Sequence, residues 1–153
     1  MLTDALPRTR LASLADLDAL APLLDAYRQF YEQPADLSRA RAYLGERMAR
    51  GECVVYGALG ASGELVGFAL LYPTFTSVGT GRIFILNDLF VTPAARGTRA
   101  SVALLEAAKA HARAAGALRL SLRTAHDNSR AQGVYERNGW KRDLRFWQYD
   151  FAL

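Results

Sequence analysis

The spacing of apolar residues predicts two helices in the first third of the chain. Apolar side chains recur every three or four positions over 16–31, which is typical of an amphipathic helix with Ser13 or Asp16 as its cap. The range 36–50 repeats this spacing and predicts a second helix. A short stretch over 9–12 precedes both helices, and we interpret it as a first strand.

The middle of the chain changes to strand-like patterns. The ranges 52–59 and 64–72 are rich in Val, Leu, Tyr and Phe, and the Gly-Ala-Ser-Gly sequence at 60–63 supplies turn residues between them. These two segments therefore predict a β-hairpin. The range 82–91 is apolar on both faces, which is typical of a central strand covered on both sides.

Strands and helices alternate in the last third of the chain. A loop over 92–101 leads into a helix that runs to about 115, and alternating Leu residues over 118–122 predict a strand. A short helix through 137 follows, and an aromatic segment over 146–151 predicts a final strand. The predicted order is β-α-α-β-β-β-α-β-α-β, which is an α/β fold with a mixed sheet and one parallel crossover.

Composition narrows the class of protein. With 153 residues, 51% of them hydrophobic and 22% charged, the chain has the balance of one globular domain, which we expect over 1–153. Its net charge of +4 suits a small anionic ligand, whereas its scattered basic residues form no stripe for a nucleic acid. One cysteine and two histidines are too few for a four-ligand Cys/His zinc site, and we expect no metal.

Two further features bear on location. The longest apolar run, over 65–72, is far shorter than the ~20 residues of a membrane-spanning helix, so we expect no membrane partner. Cys53 is the single cysteine and forms no internal disulfide, which favours a reduced, cytoplasmic protein. Cys53 also lies outside the motifs described below, and we do not propose it as a nucleophile.

The loop over 92–101 has the features of an anion site. A strand-to-helix junction leaves backbone N–H groups without partners at the positive end of the helix dipole. Arg96 and Arg99 add charge on the same loop, which favours a phosphorylated ligand. Taken alone, the loop is equally consistent with an ordinary connection. It contains neither a Gly-x-Gly-x-x-Gly nor a Gly-Lys-Ser/Thr sequence, so it predicts neither a Rossmann site nor a P-loop.

Three segments together resemble one protein family. The sequence Leu-Asn-Asp-Leu-Phe-Val-Thr-Pro at 86–93 looks like its central strand, and Arg-Gly-Thr-Arg-Ala-Ser at 96–101 is similar to its pyrophosphate loop. The segment 128–139, which begins Asn-Ser-Arg-Ala, resembles a later helix. With the predicted element order, these segments resemble the GNAT N-acetyltransferases, and most closely the histone, polyamine and D-amino-acid branch. The resemblance implies a single-domain, partly splayed mixed sheet flanked by helices, with acetyl-CoA as acyl donor.

The resemblance also implies which residues hold acetyl-CoA. The backbone of Phe90 and Val91 lies beside the thioester, where N–H donors stabilise developing oxyanion charge, and Asn128 contacts the pantetheine. The loop residues on the diphosphate are Arg96, Gly97, Thr98, Arg99, Ala100 and Ser101. This sequence departs from the family pattern because Arg99 and Ser101 stand at the two small-residue positions. A side chain at 99 must therefore point away from the phosphate or clamp it from outside.

Candidate catalytic residues lie in the central strand and the last helix. Asn87 and Asp88 interrupt an apolar strand, and a buried carboxylate needs an explanation. The polyamine branch has an acidic base at the first of these positions, so Asp88 is the carboxylate left to bind or deprotonate an amine, provided that a bulge turns it to the site. An equal alternative is that Asp88 holds a neighbouring loop.

The resemblance implies that Tyr135 protonates the departing thiolate. A core role for Tyr135 and a base role for His126 are the alternatives.

The acceptor groove is the least defined part of the prediction. The resemblance implies that Tyr31, Glu32 and Trp147 form its walls, with Asn87 close by, and such a groove suits an amine with an apolar stem. The acceptor class, a small molecule or a peptide amine, stays open.

The leading function is transfer of acetyl from acetyl-CoA to a primary amine by direct attack in a ternary complex. The alternative is a non-catalytic acetyl-CoA-binding module, which Arg99, Ser101 and the missing acid at 87 favour. The aromatic segment over 146–151 further predicts a homodimer, because an exposed sheet edge of that kind tends to be paired.

Overall fold

One mixed β-sheet organises the computed structural model, which describes residues 5–153. The elements of the described chain are β1 (Thr9–Leu11), α1 (Leu17–Phe30), α2 (Leu37–Ala49), β2 (Val54–Leu59), β3 (Leu65–Thr76), β4 (Gly81–Val91), α3 (Ala100–Ala114), β5 (Leu120–Leu122) and α4 (Ser129–Arg137). The chain divides into two compact units between Arg123 and Thr124. The prediction of a single domain over 1–153 therefore stays a prediction.

The sheet confirms the predicted α/β class. Its strands follow the order β1-β2-β3-β4-β5, with antiparallel pairs up to β4 and a parallel pair between β4 and β5, as the hairpin and crossover predict. On one face, α1 and α2 bury Leu20, Leu44, Phe68 and Leu70 completely. Helix α3 packs against β2, β3 and β4. No helix among residues 5–153 is long and apolar enough to cross a membrane.

Local sequence signals place the helix ends. Ser13 and Asp16 form a capping box, in which the Ser13 side chain and the Asp16 carboxylate each accept a backbone N–H at the start of a short 3-10 turn before α1. Asp36 caps α2 by accepting the N–H of Arg39 at 2.9 Å. These caps explain why the predicted helix ends agree closely with the observed ones.

A β-bulge in β4 decides which side chains face which helix layer. Leu86 pairs with Leu71 and Asp88 pairs with Leu70, so Asn87 is an extra residue without a partner on β3. The extra residue reverses the alternation of faces. Before it, Phe84 contacts a ring of α3, His111, with ring centres 5.3 Å apart. After it, the Phe90 side chain packs in the core cluster with residues of α1 and α2.

The sheet is splayed at the boundary of β4 and β5. Strand β5 pairs with β4 only over 84–86, whereas β4 continues to Val91. Within the described chain, the second half of β4 therefore has a hydrogen-bond ladder with β3 alone. This agrees with the partly splayed sheet that the resemblance implied.

The predicted final strand over 146–151 is wrong. No residue after 122 lies in a strand, and the described order ends with α4. Instead, the Asp143 carboxylate accepts the N–H groups of Arg145 and Phe146 in a local turn, and Phe146 and Trp147 are 72% and 84% exposed. An alternating pattern shows which face of a segment is apolar, but a strand also needs a partner ladder, which the pattern does not supply.

Candidate active site

Asp88 is a buried carboxylate in the bulged part of β4. Its residue is 7% exposed, and its Oδ1 accepts a hydrogen bond from Asn87 Nδ2 at 2.9 Å. Burial raises the pKa of Asp88 to about 6, while hydrogen bonds from Asn87 and Tyr27 act in the opposite direction. A carboxyl with this pKa changes protonation state close to neutral pH, as a general base must.

Asp25 is a second buried carboxylate, and the contrast with it is informative. Asp25 forms an ion pair with Arg28 at 3.1 Å and accepts hydrogen bonds from Gln29 Nε2 and from the Asp36 N–H. These contacts tie α1 to the start of α2. Asp88 has only neutral partners, and no ion pair among the described residues includes it. Asp25 thus ties two helices together, whereas the hydrogen-bond partners of Asp88 are Asn87 and Tyr27.

Two tyrosines, Tyr27 of α1 and Tyr72 of β3, lie within the electrostatic influence of the Asp88 carboxylate. The one hydroxyl hydrogen of Tyr27, on α1, has two acceptors within reach, the Asn87 carbonyl at 3.4 Å and the Asp88 carboxylate. Burial, followed by the Asp88 charge, raises the pKa of Tyr27. The Tyr27 ring packs edge-on against Tyr31, with centres 5.1 Å apart. Burial also raises the pKa of Tyr72 on β3, whose hydroxyl bonds with that of Tyr43. The sequence did not single out Tyr27.

The backbone of β4 presents outward amides beyond the bulge. The Thr92 N–H donates to the Val66 carbonyl at 2.8 Å, so the backbone groups of Phe90, two residues earlier, also face β3. The N–H groups of Leu89 and Val91 face the opposite side, where β5 no longer pairs. Val91 therefore remains a candidate backbone donor. Leu89, which the sequence did not single out, joins it, and Phe90 instead has its side chain in the core.

The loop after β4 ends in an uncapped helix. Gly97 and Arg99 have φ angles of +86° and +67°, and no side chain caps the start of α3. The Thr98 hydroxyl donates to the Ala95 carbonyl at 2.6 Å, which closes the preceding turn. The N–H groups of Ala100 and Ser101, in the first turn of α3, have no partner within the helix. An anion fits this geometry.

The second unit carries two further predicted site residues. Asn128 caps α4, with its Oδ1 accepting the Ala131 N–H at 3.2 Å. The half-buried Tyr135 ring packs against Trp140, with centres 6.2 Å apart. The capping bond thus fixes Asn128 at the start of α4, and the contact with Trp140, beyond the end of α4, holds the Tyr135 ring.

The other residues that the sequence analysis discussed differ in their exposure and in the elements that hold them. Tyr31 caps the C-terminal end of α1, and the exposed Glu32 follows it with a φ of +61°. Asn87 is exposed beside the buried Asp88, whereas Trp147 lies in the segment without strand structure. His126 is exposed. Burial raises the pKa of Cys53 to about 11, which favours the protonated thiol at neutral pH.

Two features define the class of this α/β protein. The edge of β4 is open beyond the bulge, and the loop that follows leads into α3, whose uncapped start fits an anion. The chain matches the model of the Acetyltransferase (GNAT) family over residues 17–140, and it belongs to this family. Among residues 5–153, no group of three or more His, Cys, Asp or Glu side chains is placed to hold a metal ion.

Individual relatives agree with this assignment. The chain is 47% identical over 140 residues to the "Uncharacterized N-acetyltransferase YhfO" of Bacillus subtilis, covering 92% of this chain and 93% of that protein. A crystal structure of a "probable acetyltransferase" has a TM-score of 0.90 at 39% identity, covering 95% and 97% of the two chains. A ribosomal-protein-alanine N-acetyltransferase from Brucella melitensis shares the fold, with a TM-score of 0.78 at 23% identity over 94% and 99% of the chains. The protein is thus an acetyltransferase, and the non-catalytic module is not favoured.

Proposed function

We propose that this acetyltransferase moves the acetyl group of acetyl-CoA to a primary amine by direct attack within a ternary complex. The observation that carries the proposal is Asp88, a buried carboxylate without a cationic partner beside the outward amides of Leu89 and Val91. An amine that arrives as an ammonium ion supplies the missing positive charge. The acceptor is a small-molecule or peptide amine, and membership of the histone, polyamine and D-amino-acid branch stays a prediction.

Each proton in this reaction has a proposed donor and acceptor. Asp88 takes a proton from the ammonium, and the freed nitrogen attacks the thioester carbonyl carbon. The new C–N bond forms first, the outward N–H groups of Leu89 and Val91 stabilise the charge that develops on the oxygen of the tetrahedral intermediate, and the C–S bond then breaks. Tyr135 gives the departing thiolate a proton, and the second proton of the attacking nitrogen, relayed through water, restores the Tyr135 hydroxyl.

The start of α3 is the proposed site for the CoA diphosphate. Its uncapped N–H groups, the open backbone at Gly97 and the charges of Arg96 and Arg99 fit a polyanion. Gly97 has no atom within 4 Å of the position that a Cβ would occupy, so the backbone is accessible there. Arg99 holds the left-handed conformation that glycine adopts at no steric cost.

The activity is tested by measuring thiol release from acetyl-CoA with a panel of amines. Turnover that depends on one class of amine supports the proposal and identifies the acceptor. Acetyl-CoA binding without turnover for any small or peptide amine would instead restore the binding-module alternative.

Arg96→Ala is expected to weaken acetyl-CoA binding by about 1–3 kcal/mol, because it removes a charge-assisted hydrogen bond to phosphate. Calorimetry measures the affinity. Arg99→Gly is the matched loop variant, and we expect equal or tighter binding because it restores the family's pattern and relieves the left-handed φ. Unchanged affinity in Arg96→Ala would move the phosphate elsewhere, and a large loss in Arg99→Gly would make Arg99 a clamp.

Tyr27→Phe is expected to move the acidic limb of the kcat/KM pH profile to higher pH. The Tyr27 hydroxyl lowers the pKa of Asp88 through a hydrogen bond, so its loss raises that pKa. Tyr56→Phe is the control, because it removes a hydroxyl that bonds to His111 Nδ1 at 3.1 Å, a residue of α3. If Tyr27 only packs α1 against the sheet, the melting temperature falls and the limb stays in place.

A further inference from the structure

Strand β5 and the residues that flank it carry basic side chains on the face of the sheet that holds Asp88. Arg119, Ser121 and Arg123 alternate with leucines, so they share one face of an extended chain. The Arg119 Nε donates a hydrogen bond to the Ser121 hydroxyl at 3.1 Å, which agrees with this alternation. These residues and Asp88 belong to the same compact unit of the chain.

The strand register identifies this face as the one that α1 and α2 cover. Ser121 pairs with Ile85 of β4, and Ile85 pairs with Tyr72 of β3. Residues that pair directly across neighbouring strands have their side chains on the same side of the sheet. Tyr72 packs against the core cluster that contains residues of α1 and α2. The side chain of Ser121, and with it that of Arg119, therefore faces the side of α1 and α2.

The same register brings the basic residues next to Asp88. Asp88 shares this face, because its partner on β3 belongs to the core cluster. Leu122 is the last residue of β5 that pairs with β4, and it pairs with Leu86. Arg123 therefore stands where the two strands begin to separate, beside the bulged Asn87 that immediately precedes Asp88. An amine held at Asp88 has these cations as its neighbours.

The charges of the two arginines are not neutralised within the described chain. No ion pair among residues 5–153 includes Arg119 or Arg123, and both are exposed. Arg28 of α1, in contrast, pairs with Asp25, and Arg47 of α2 pairs with two glutamates. A guanidinium group binds a carboxylate through its planar set of N–H donors. The free arginines of this face therefore fit an anionic group of a ligand.

We propose that Arg119 and Arg123 bind the carboxylate of an acceptor whose amine lies at Asp88, so that the acceptor is a free amino acid. This inference rests on the proposed acetyl transfer and narrows its class of acceptor. The ammonium and the carboxylate of such a molecule each meet protein charge of the opposite sign, which is what charge complementarity requires. A simple alkylamine supplies only one of these two charges.

The first experiment compares acceptors that differ only in the carboxylate: phenylalanine with phenethylamine, and lysine with cadaverine. Thiol release from acetyl-CoA gives kcat/KM for each compound. We expect the amino acid of each pair to have a kcat/KM roughly 10- to 100-fold higher, the effect of one charge-assisted hydrogen bond. An equal or higher kcat/KM for the amine without the carboxylate overturns this inference and leaves acetyl transfer to amines in place.

Arg119→Gln/Arg123→Gln tests the two residues directly. We expect KM for phenylalanine to rise about 10-fold or more with little change in kcat, because the lost contact is the same in the ground state and the transition state. The kinetics with phenethylamine should stay unchanged, which a general loss of structure would not allow. Arg113→Gln is the matched control, since it removes an exposed arginine of α3 and should alter neither acceptor. A preference for phenylalanine that survives in the double variant overturns the inference.

Calorimetry of phenylalanine with the full chain, with and without CoA, separates this inference from the proposed function. If no amine is turned over, phenylalanine binding that the double variant weakens about 10-fold would retain the carboxylate site while the proposed acetyl transfer fails. If phenylalanine and lysine are neither bound nor turned over, the carboxylate site is wrong as well.

Discussion

Asp88→Asn is expected to lower kcat by at least about 100-fold and, at the same time, to raise the free energy of unfolding at pH 7. The loss of rate follows from removing the base, for which about 10²- to 10⁴-fold is typical. The gain in stability follows from burial, because a charged carboxylate with only neutral partners destabilises the folded state.

The sign of the stability effect depends on pH. The folded pKa of Asp88, about 6, lies above its ordinary value of 3.8, so the folded state holds the proton more tightly. The contribution of Asp88 to the free energy of unfolding is therefore most favourable below about pH 4 and is lost as pH rises through about 6. One pKa unit corresponds to about 1.4 kcal/mol, so the variant gains up to about 3 kcal/mol above that range. Denaturant titrations from pH 4 to 8 measure this difference.

Asp25→Asn is the matched control for this experiment. Both aspartates are 7% exposed, but Asp25 pairs with Arg28 and accepts two further hydrogen bonds. Its substitution should lower stability, because it leaves Arg28 without its charge partner, and should change kcat little in the fraction that is folded. If Asp88→Asn behaves like Asp25→Asn, then Asp88 is a structural carboxylate and the proposed base is wrong.

The activity of the wild-type enzyme gives an independent check. If Asp88 must be ionised to accept a proton, kcat/KM rises with pH through about 6 and then levels until other groups titrate. A profile without a limb in this range would assign the proton to another group.

The bulge at Asn87 shows what the sequence could not supply for this site. The interrupted apolar pattern identified Asp88 as unusual, but only a bulge turns it toward α1. A bulge arises from the register between two paired strands, and no local pattern in either strand encodes that register. The capping residues Ser13 and Asp36, in contrast, act within a few positions of themselves and were therefore predictable.

The segment over 146–151 shows a related limit. Its alternation predicts a strand with one apolar face, but the described chain forms no strand there, because a strand also needs a ladder partner that the local pattern does not specify. The loop at 96–101 lies between these cases, because the sequence identified Arg99 as a departure from the family pattern and the structure shows its left-handed φ. The sequence therefore predicted which loop residue is unusual, and the Arg99→Gly measurement determines how that residue affects phosphate binding.

Tyr135→Phe is the second variant with a large expected effect. Collapse of the tetrahedral intermediate expels a thiolate, and a phenol, whose ordinary pKa is about 10, still carries its proton at neutral pH. The substitution keeps the ring that packs against Trp140 and removes only the hydroxyl. We therefore expect kcat to fall roughly 100-fold or more, while acetyl-CoA affinity and the melting temperature change little.

Rapid-quench kinetics, with the chemical step shown to limit the rate, separate this role from a packing role. Tyr56→Phe is again the control, because it also removes one tyrosine hydroxyl but leaves the proposed acid in place. If the ring of Tyr135 alone matters, turnover stays near the wild-type value, since phenylalanine retains the contact with Trp140. A kcat within a factor of about three of wild type would assign the proton to water or to His126 and reduce Tyr135 to a core residue of α4.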